Sequence, residues 1–87
     1  MKIEFFFETE NFNGEVWEGD NPSIVNGWFE HNKHGDNVKN YCGGLMFEWQ
    51  GDTAVLVDCD GAPKVPMEVI KELEGEGFNM DWAKASQ

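Results

Sequence analysis

The sequence predicts one α+β domain spanning residues 1–87, in the order ββαββα, with a four-stranded, mainly antiparallel sheet and both helices packed on one face. Three observations predict it. Apolar residues alternate at period two near the N-terminus, residues 45–59 carry them on both faces of a hairpin, and residues 22–34 and 66–75 carry them at helical spacing. Two glycine-containing dipeptides, Asn13-Gly14 and Gly51-Asp52, fall where strands would fold back. A chain of 87 residues with 40% hydrophobic content can build one modest core, and dimerisation is open to it as a way to bury more surface.

Residues 2–9 place Ile3, Phe5 and Phe7 on one side and Lys2, Glu4 and Glu8 on the other, a half-buried strand interrupted only by Phe6. Asn13-Gly14 then predicts a type I′ turn, because both central residues need positive φ. With Phe12 and Glu15 flanking that turn, Glu10 faces Trp17, and a second strand covers residues 15–18.

Asn21 is a suitable N-cap, and Pro22 suits the first helical position. Ile24, Val25, Trp28 and Phe29 follow at helical spacing, and His31, Lys33 and His34 suit a helix C-terminus ahead of Gly35. A helix over 22–34 results, weakened by about 1 kcal/mol by Gly27. Residues 36–44 are a loop or short edge strand. Leu45–Gln50 and Thr53–Cys59 form the second hairpin, with Trp49 opposite Ala54, Phe47 opposite Leu56, Glu48 opposite Val55, Met46 opposite Val57 and Leu45 opposite Asp58. Both faces of this hairpin are apolar, as in central strands. A last helix starts near Pro66, turns Met67, Val69, Ile70 and Leu73 to the core, and stops around Gly75–Gly77 with Phe78 as the apolar contact of a glycine C-cap. Met80 and Trp82 suggest a docked tail.

Charge narrows the function. The chain has 17 Asp and Glu against 6 Lys and no Arg, a net charge of −11. Direct nucleic-acid binding needs cations to neutralise phosphates, and anionic membranes repel such a chain. A basic protein partner is favoured instead, through long-range steering. Phe5-Phe6-Phe7, flanked by Glu4 and Glu8, is too short for a signal-peptide core, no stretch is long enough to span a membrane, and the cysteine spacing fits neither zinc nor redox motifs. The cytoplasm is the expected compartment.

The leading site is a surface. On the side of the first hairpin opposite Ile3, Phe5 and Phe7, the pairing places Glu4, Phe6, Glu8, Glu10, Phe12, Glu15 and Trp17 together. Aromatic anchors ringed by charge are what an interface core and rim look like. The competing expectation is that the rings bury against the tail or in a homodimer. Glu68, Glu72 and Glu76 form a carboxylate stripe on the last helix, too sparse by itself to imitate duplex phosphates and otherwise an ordinary solvated face.

Catalytic and metal readings are weaker. His31 and His34 with Asp36, and Asp58-Cys59-Asp60-Gly61, lack a full ligand set; the twelfth position from Asp58 is Val69, so a calcium loop fails. Cys42 near those histidines is not activated by so negative a chain. If the second hairpin's register continued past Gly44, Cys42 and Cys59 would be diagonal neighbours, although two idle thiols fit better.

No catalytic residue, metal or cofactor is expected. The expected function is that of a small, non-enzymatic interaction protein. In size and charge it resembles acidic proteins carried by phages and mobile elements, some of them inhibitors or nucleic-acid mimics. The alternative is a small-molecule binder or small enzyme whose pocket, between sheet and helices, is lined by Trp28, Tyr41, Cys42 and Trp49.

Overall fold

The computed structural model describes residues 3–33, 42–60 and 65–85. Its five strands are β1 (Glu4–Glu8), β2 (Phe12–Glu18), β3 (Ile24–His31), β4 (Cys42–Gln50) and β5 (Thr53–Asp60), followed by helices α1 (Met67–Gly75) and α2 (Asp81–Ala85). The strands form one antiparallel sheet in the order β1-β2-β3-β4-β5. The α+β class holds; the sheet has five strands rather than four, and both helices follow it.

The extra strand comes from the segment expected to be a helix. Residues 24–31 alternate in burial, with Val25, Gly27 and Phe29 inward and Ile24, Asn26 and Trp28 on the other side. Ile24, Val25, Trp28 and Phe29 fit both periods, and β-branched and aromatic residues favour the pleated surface. Gly27 decides it, because Val16 on β2 lies directly opposite and occupies the space a Cβ would need. Asn21-Pro22 starts a turn instead of a helix. The Ser23 N–H donates to Asn21 Oδ1 at 2.9 Å, and the Ile24 N–H donates to the Asn21 carbonyl at 3.1 Å.

The first hairpin turns earlier than Asn13-Gly14. Glu4 pairs with Trp17, Phe6 with Glu15 and Glu8 with Asn13, so residues 9–11 make the connection. Thr9 closes it: its N–H donates to the Phe12 carbonyl at 2.7 Å, and its hydroxyl oxygen accepts from the Phe12 N–H at 2.9 Å. Gly14 is therefore a strand residue opposite Phe7, whose ring lies across it.

In the second hairpin Gly51 takes φ 67°, and the expected pairs from Gln50–Thr53 through Phe47–Leu56 are present. A register shift between Met46 and Phe47 then moves Asp58 opposite Met46 and Cys59 opposite Leu45. This replaces the expected pairs Met46–Val57 and Leu45–Asp58, since Val57 is the extra residue of the bulge.

α1 ends as its sequence predicts. Gly77 takes φ 95°, its N–H donates to the Glu74 carbonyl at 3.0 Å, and the Phe78 N–H donates to the Leu73 carbonyl at 3.0 Å. These two bonds define a Schellman cap, which needs the left-handed residue that glycine supplies. Phe78 then packs on Phe47 with ring centroids 5.0 Å apart. Val69, Ile70 and Leu73 are buried, whereas Met67, expected inward, is 46% exposed because helical rotation sets it to one side of their stripe. In the tail Met80 is buried and Trp82 half-exposed, so docking falls to Met80 and Ala83. Asn79 bridges to the outer edge of β5: the Leu56 N–H donates to its carbonyl, and its own N–H donates to the Ala54 carbonyl.

Helix residues Val69, Ile70, Leu73 and Ala83 join a single core with the inward residues of all five strands. The helices therefore cover one face of the sheet. No described helix covers the other, the open face.

Candidate functional site

Register places the open face in rows that cross the sheet. One runs Glu4, Trp17, Asn26, Met46, Asp58; the next runs Phe6, Glu15, Trp28, Gly44, Asp60; a third runs Glu8, Asn13, Glu30, Cys42. Neighbours within a row are one strand spacing apart, about 5 Å. Phe6 is 64% exposed and Met46 40%. The Trp28 indole N–H donates to Glu15 Oε1 at 2.8 Å, which fixes an aromatic ring and a carboxylate side by side in the middle row. Gly44 adds no side chain there. A depression of about 350 Å³ opens beside it, between Trp17 and Met46 on one side and Asp58 and Asp60 on the other.

No described strand contains a lysine, and His31 lies on the inward side, where its ring meets Phe12 at a centroid distance of 4.9 Å. The carboxylates of the open face have no neighbouring cation in the sheet. The described lysines lie elsewhere, Lys33 after β3, Lys71 on α1 and Lys84 on α2, where Lys84 pairs with Glu74.

The structure brings together Glu4, Phe6, Glu8, Glu15 and Trp17 from the expected surface. Phe12 is a correction. It is 7% exposed on the core side against Phe29, because it belongs to β2, where even-numbered residues point inward. Glu10 lies in the turn and is exposed there, not opposite Trp17. Trp28, Met46, Asp58 and Asp60 were missed as members of this face. Reading residues 24–31 at period two would have placed Trp28 beside Glu15.

The helix stripe is broken by its first member. Glu68 accepts from the Thr9 hydroxyl at 2.8 Å and from Asn11 Nδ2 at 2.6 Å, and these bonds hold its carboxyl below the usual carboxylate range. Its oxygens brace the β1–β2 turn.

Neither Cys42 nor Cys59 forms a disulfide. Cys42 is exposed on the open face, while Cys59 turns toward the core opposite Leu45. The bulge separates them, since shifting by one residue exchanges faces. Burial pushes the Cys59 thiol pKa up, and Asp58 and Asp60 push it further, so this sulfur is a poor nucleophile. Among the described residues, no three metal-ligating side chains come together. His31 Nδ1 accepts the Lys33 N–H at 3.0 Å, while His34, Asp36 and Gly61 lie outside the described residues.

The alternative pocket does not assemble from its described members. Trp28 and Cys42 lie on the open face, Trp49 packs against the core from the other side, and Tyr41 lies outside the described residues. No described helix is long and apolar enough to cross a membrane.

No family model, curated protein or solved structure matches this chain. What the site can do follows from its own geometry: rows of carboxylates interleaved with large rings, on a sheet face that no described helix covers.

Proposed function

We propose that this protein is a non-enzymatic interaction protein that docks a basic partner protein on the open face of its sheet. One observation carries the reading: the face opposite the helices holds Phe6, Trp17, Trp28 and Met46 among carboxylates, with no described cation on the strands. Large apolar side chains left outside a small domain mark recognition surfaces. Phe6 and Trp17 anchor, and Glu4, Glu8 and Glu15 steer, with the net charge of −11 extending the field. Asp58 and Asp60 widen the acidic rim. An inhibitor that imitates nucleic acid is a special case, in which a phosphate-gripping partner meets carboxylate rows instead. The reading sets the protein in the cytoplasm, where Cys42 and Cys59 stay reduced.

The test is affinity purification in low salt with the native chain and with a Trp17→Ser, Phe6→Ser double variant. A partner should bind the native chain, leave as salt is raised, and be lost by the variant. The variant's urea midpoint should stay near the native one, since both side chains lie outside the core. If the variant keeps every partner of the native chain, the open face is not the working surface.

A further inference from the structure

The two edges of the sheet differ. β5 is bridged by Asn79 at Ala54 and Leu56, whereas no described strand or bridge pairs with the outer edge of β1. The pairing with β2 fixes which groups of β1 face that edge. The Glu18 N–H donates to the Ile3 carbonyl, and the Thr9 N–H donates to the Phe12 carbonyl, in the same register as Phe5–Val16 and Phe7–Gly14. Antiparallel ladders alternate, so Ile3, Phe5, Phe7 and Thr9 spend their backbone groups on β2. The N–H and C=O groups of Glu4, Phe6 and Glu8 point the other way, to the open edge.

Those same three residues carry their side chains onto the acidic-aromatic face. Backbone donors, backbone acceptors, two carboxylates and a 64%-exposed ring thus belong to one five-residue strand. We infer that β1 takes up an extended segment of the partner as a sixth strand, with a basic residue opposite Glu4, an apolar one opposite Phe6 and a basic one opposite Glu8. This rests on the docking function proposed above and adds the mode of recognition and the partner's sequence pattern.

Residues between those positions of the added strand point to the helix side. There they lie opposite Phe5, half-buried, and Phe7, buried, beside a hollow of about 440 Å³ lined by Ile3, Phe5, Trp49 and Phe78 together with the carboxylates of Glu4, Asp52 and Glu76. Small apolar side chains opposite the two rings give the pattern Lys-Val-Leu-Val-Lys. Edge addition of this kind takes affinity from main-chain bonds and specificity from alternate side chains. A second copy of the chain is a poor occupant: two β1 strands related by a twofold at Phe6 set Glu4 against Glu8 of the other copy, twice. Like charges opposite one another destabilise a strand pair.

The probe is an acetylated, amidated peptide containing Lys-Val-Leu-Val-Lys, with Glu-Val-Leu-Val-Glu as control, titrated against the full chain in low salt. Backbone hydrogen exchange should slow at Glu4, Phe6 and Glu8 on adding the lysine peptide and stay unchanged with the glutamate peptide. Phe6→Pro and Phe6→Ala both remove the ring, but only proline removes the edge-facing N–H, and an edge strand tolerates it. Proline should therefore weaken peptide binding at least tenfold more than alanine, with both variants keeping the native circular dichroism. Equal losses, or unchanged exchange at the three amides, would overturn the added strand while leaving docking on the face intact. A dimer of the native chain that Phe6→Pro dissolves would assign the edge to a second copy and overturn it as well. If the lysine peptide does not bind but the open-face double variant still loses its partner, the edge assignment alone has failed; if neither responds, the docking function has failed with it.

Discussion

Replacing Gly27 by alanine gives opposite signs for a helix and for a strand. In a helix interior the change stabilises by about 1 kcal/mol, because glycine carries the larger entropy loss on folding. In β3 the added Cβ would sit 2.8 Å from Val16 Cγ1, 2.9 Å from the Glu15 carbonyl oxygen and 3.4 Å from Leu45 Cβ. Val16 is fully buried and stiff at χ1, and the Glu15 carbonyl belongs to a hydrogen-bonded strand, so neither can simply move aside. Overpacking of this kind costs roughly 1–3 kcal/mol, offset by about 0.4–1 kcal/mol from the reduced freedom of the unfolded chain. The net expectation is a loss of roughly 1–2 kcal/mol, against a total stability of roughly 4–13 kcal/mol for a chain of this length. In equilibrium urea unfolding, with a slope near 1 kcal/mol per molar, the midpoint should fall by about 1–2 M with the slope unchanged. Gly44→Ala is the control, since its Cβ would meet nothing nearer than Asp60 Cβ at 3.9 Å, and its midpoint should hold or rise slightly. A midpoint that rises for Gly27→Ala would refute the strand and the face that depends on it.

Leu73→Ala should lose about 2–5 kcal/mol by calorimetry, because Leu73 is fully buried between helix and sheet and its loss leaves a cavity. Glu68→Gln should lower the melting temperature near neutral pH. Its native carboxyl titrates lower than the unfolded one, so its contribution is complete above the unfolded value of about 4.3 and is lost as pH falls through the depressed value. The gap between the two proteins should therefore close on acidification, and a gap constant from pH 7 to pH 3 would count against that role. Thiol labelling of the native chain followed by mass spectrometry should modify Cys42 ahead of Cys59, with the difference vanishing in denaturant. Trp28→Phe should cost about 0.5–1.5 kcal/mol through the lost bond to Glu15, measured by urea unfolding.

Local chemistry was legible wherever it alone decides the conformation. The Gly51 turn, the register beside it and the Gly77 cap with Phe78 all follow from short-range rules, and all are present. Long-range contacts decided the rest. Asn13-Gly14 carries a strong hairpin signal, yet Phe7 needs the bare backbone of Gly14 beneath its ring, and Thr9 offers the chain an earlier turn. Residues 24–31 satisfy the helical spacing, but Gly27 must meet Val16 across a strand pair. In both cases the glycine serves a neighbour across a strand pair, and neither the turn signal nor the spacing of apolar residues reports which strands pair. The bulge at Val57 is of the same kind, and it is what carries Cys59 to the face opposite Cys42.

The open face nevertheless kept five of its expected members, and the reason bears on how far its function can be argued. The expected pairing set Glu10 opposite Trp17, and the actual pairing sets Glu4 there. That displacement is six residues. Side chains alternate with period two, so an even displacement changes every partner and leaves every face intact. Glu4, Phe6 and Glu8 therefore still share a side with Glu15 and Trp17, and only Phe12 and Glu10 leave it, one by joining β2 and the other by joining the turn. A face defined by parity is sturdier than any single contact on it. It is also the property that an added strand would read, since parity alone aligns the free backbone groups of β1 with its two carboxylates and its exposed ring.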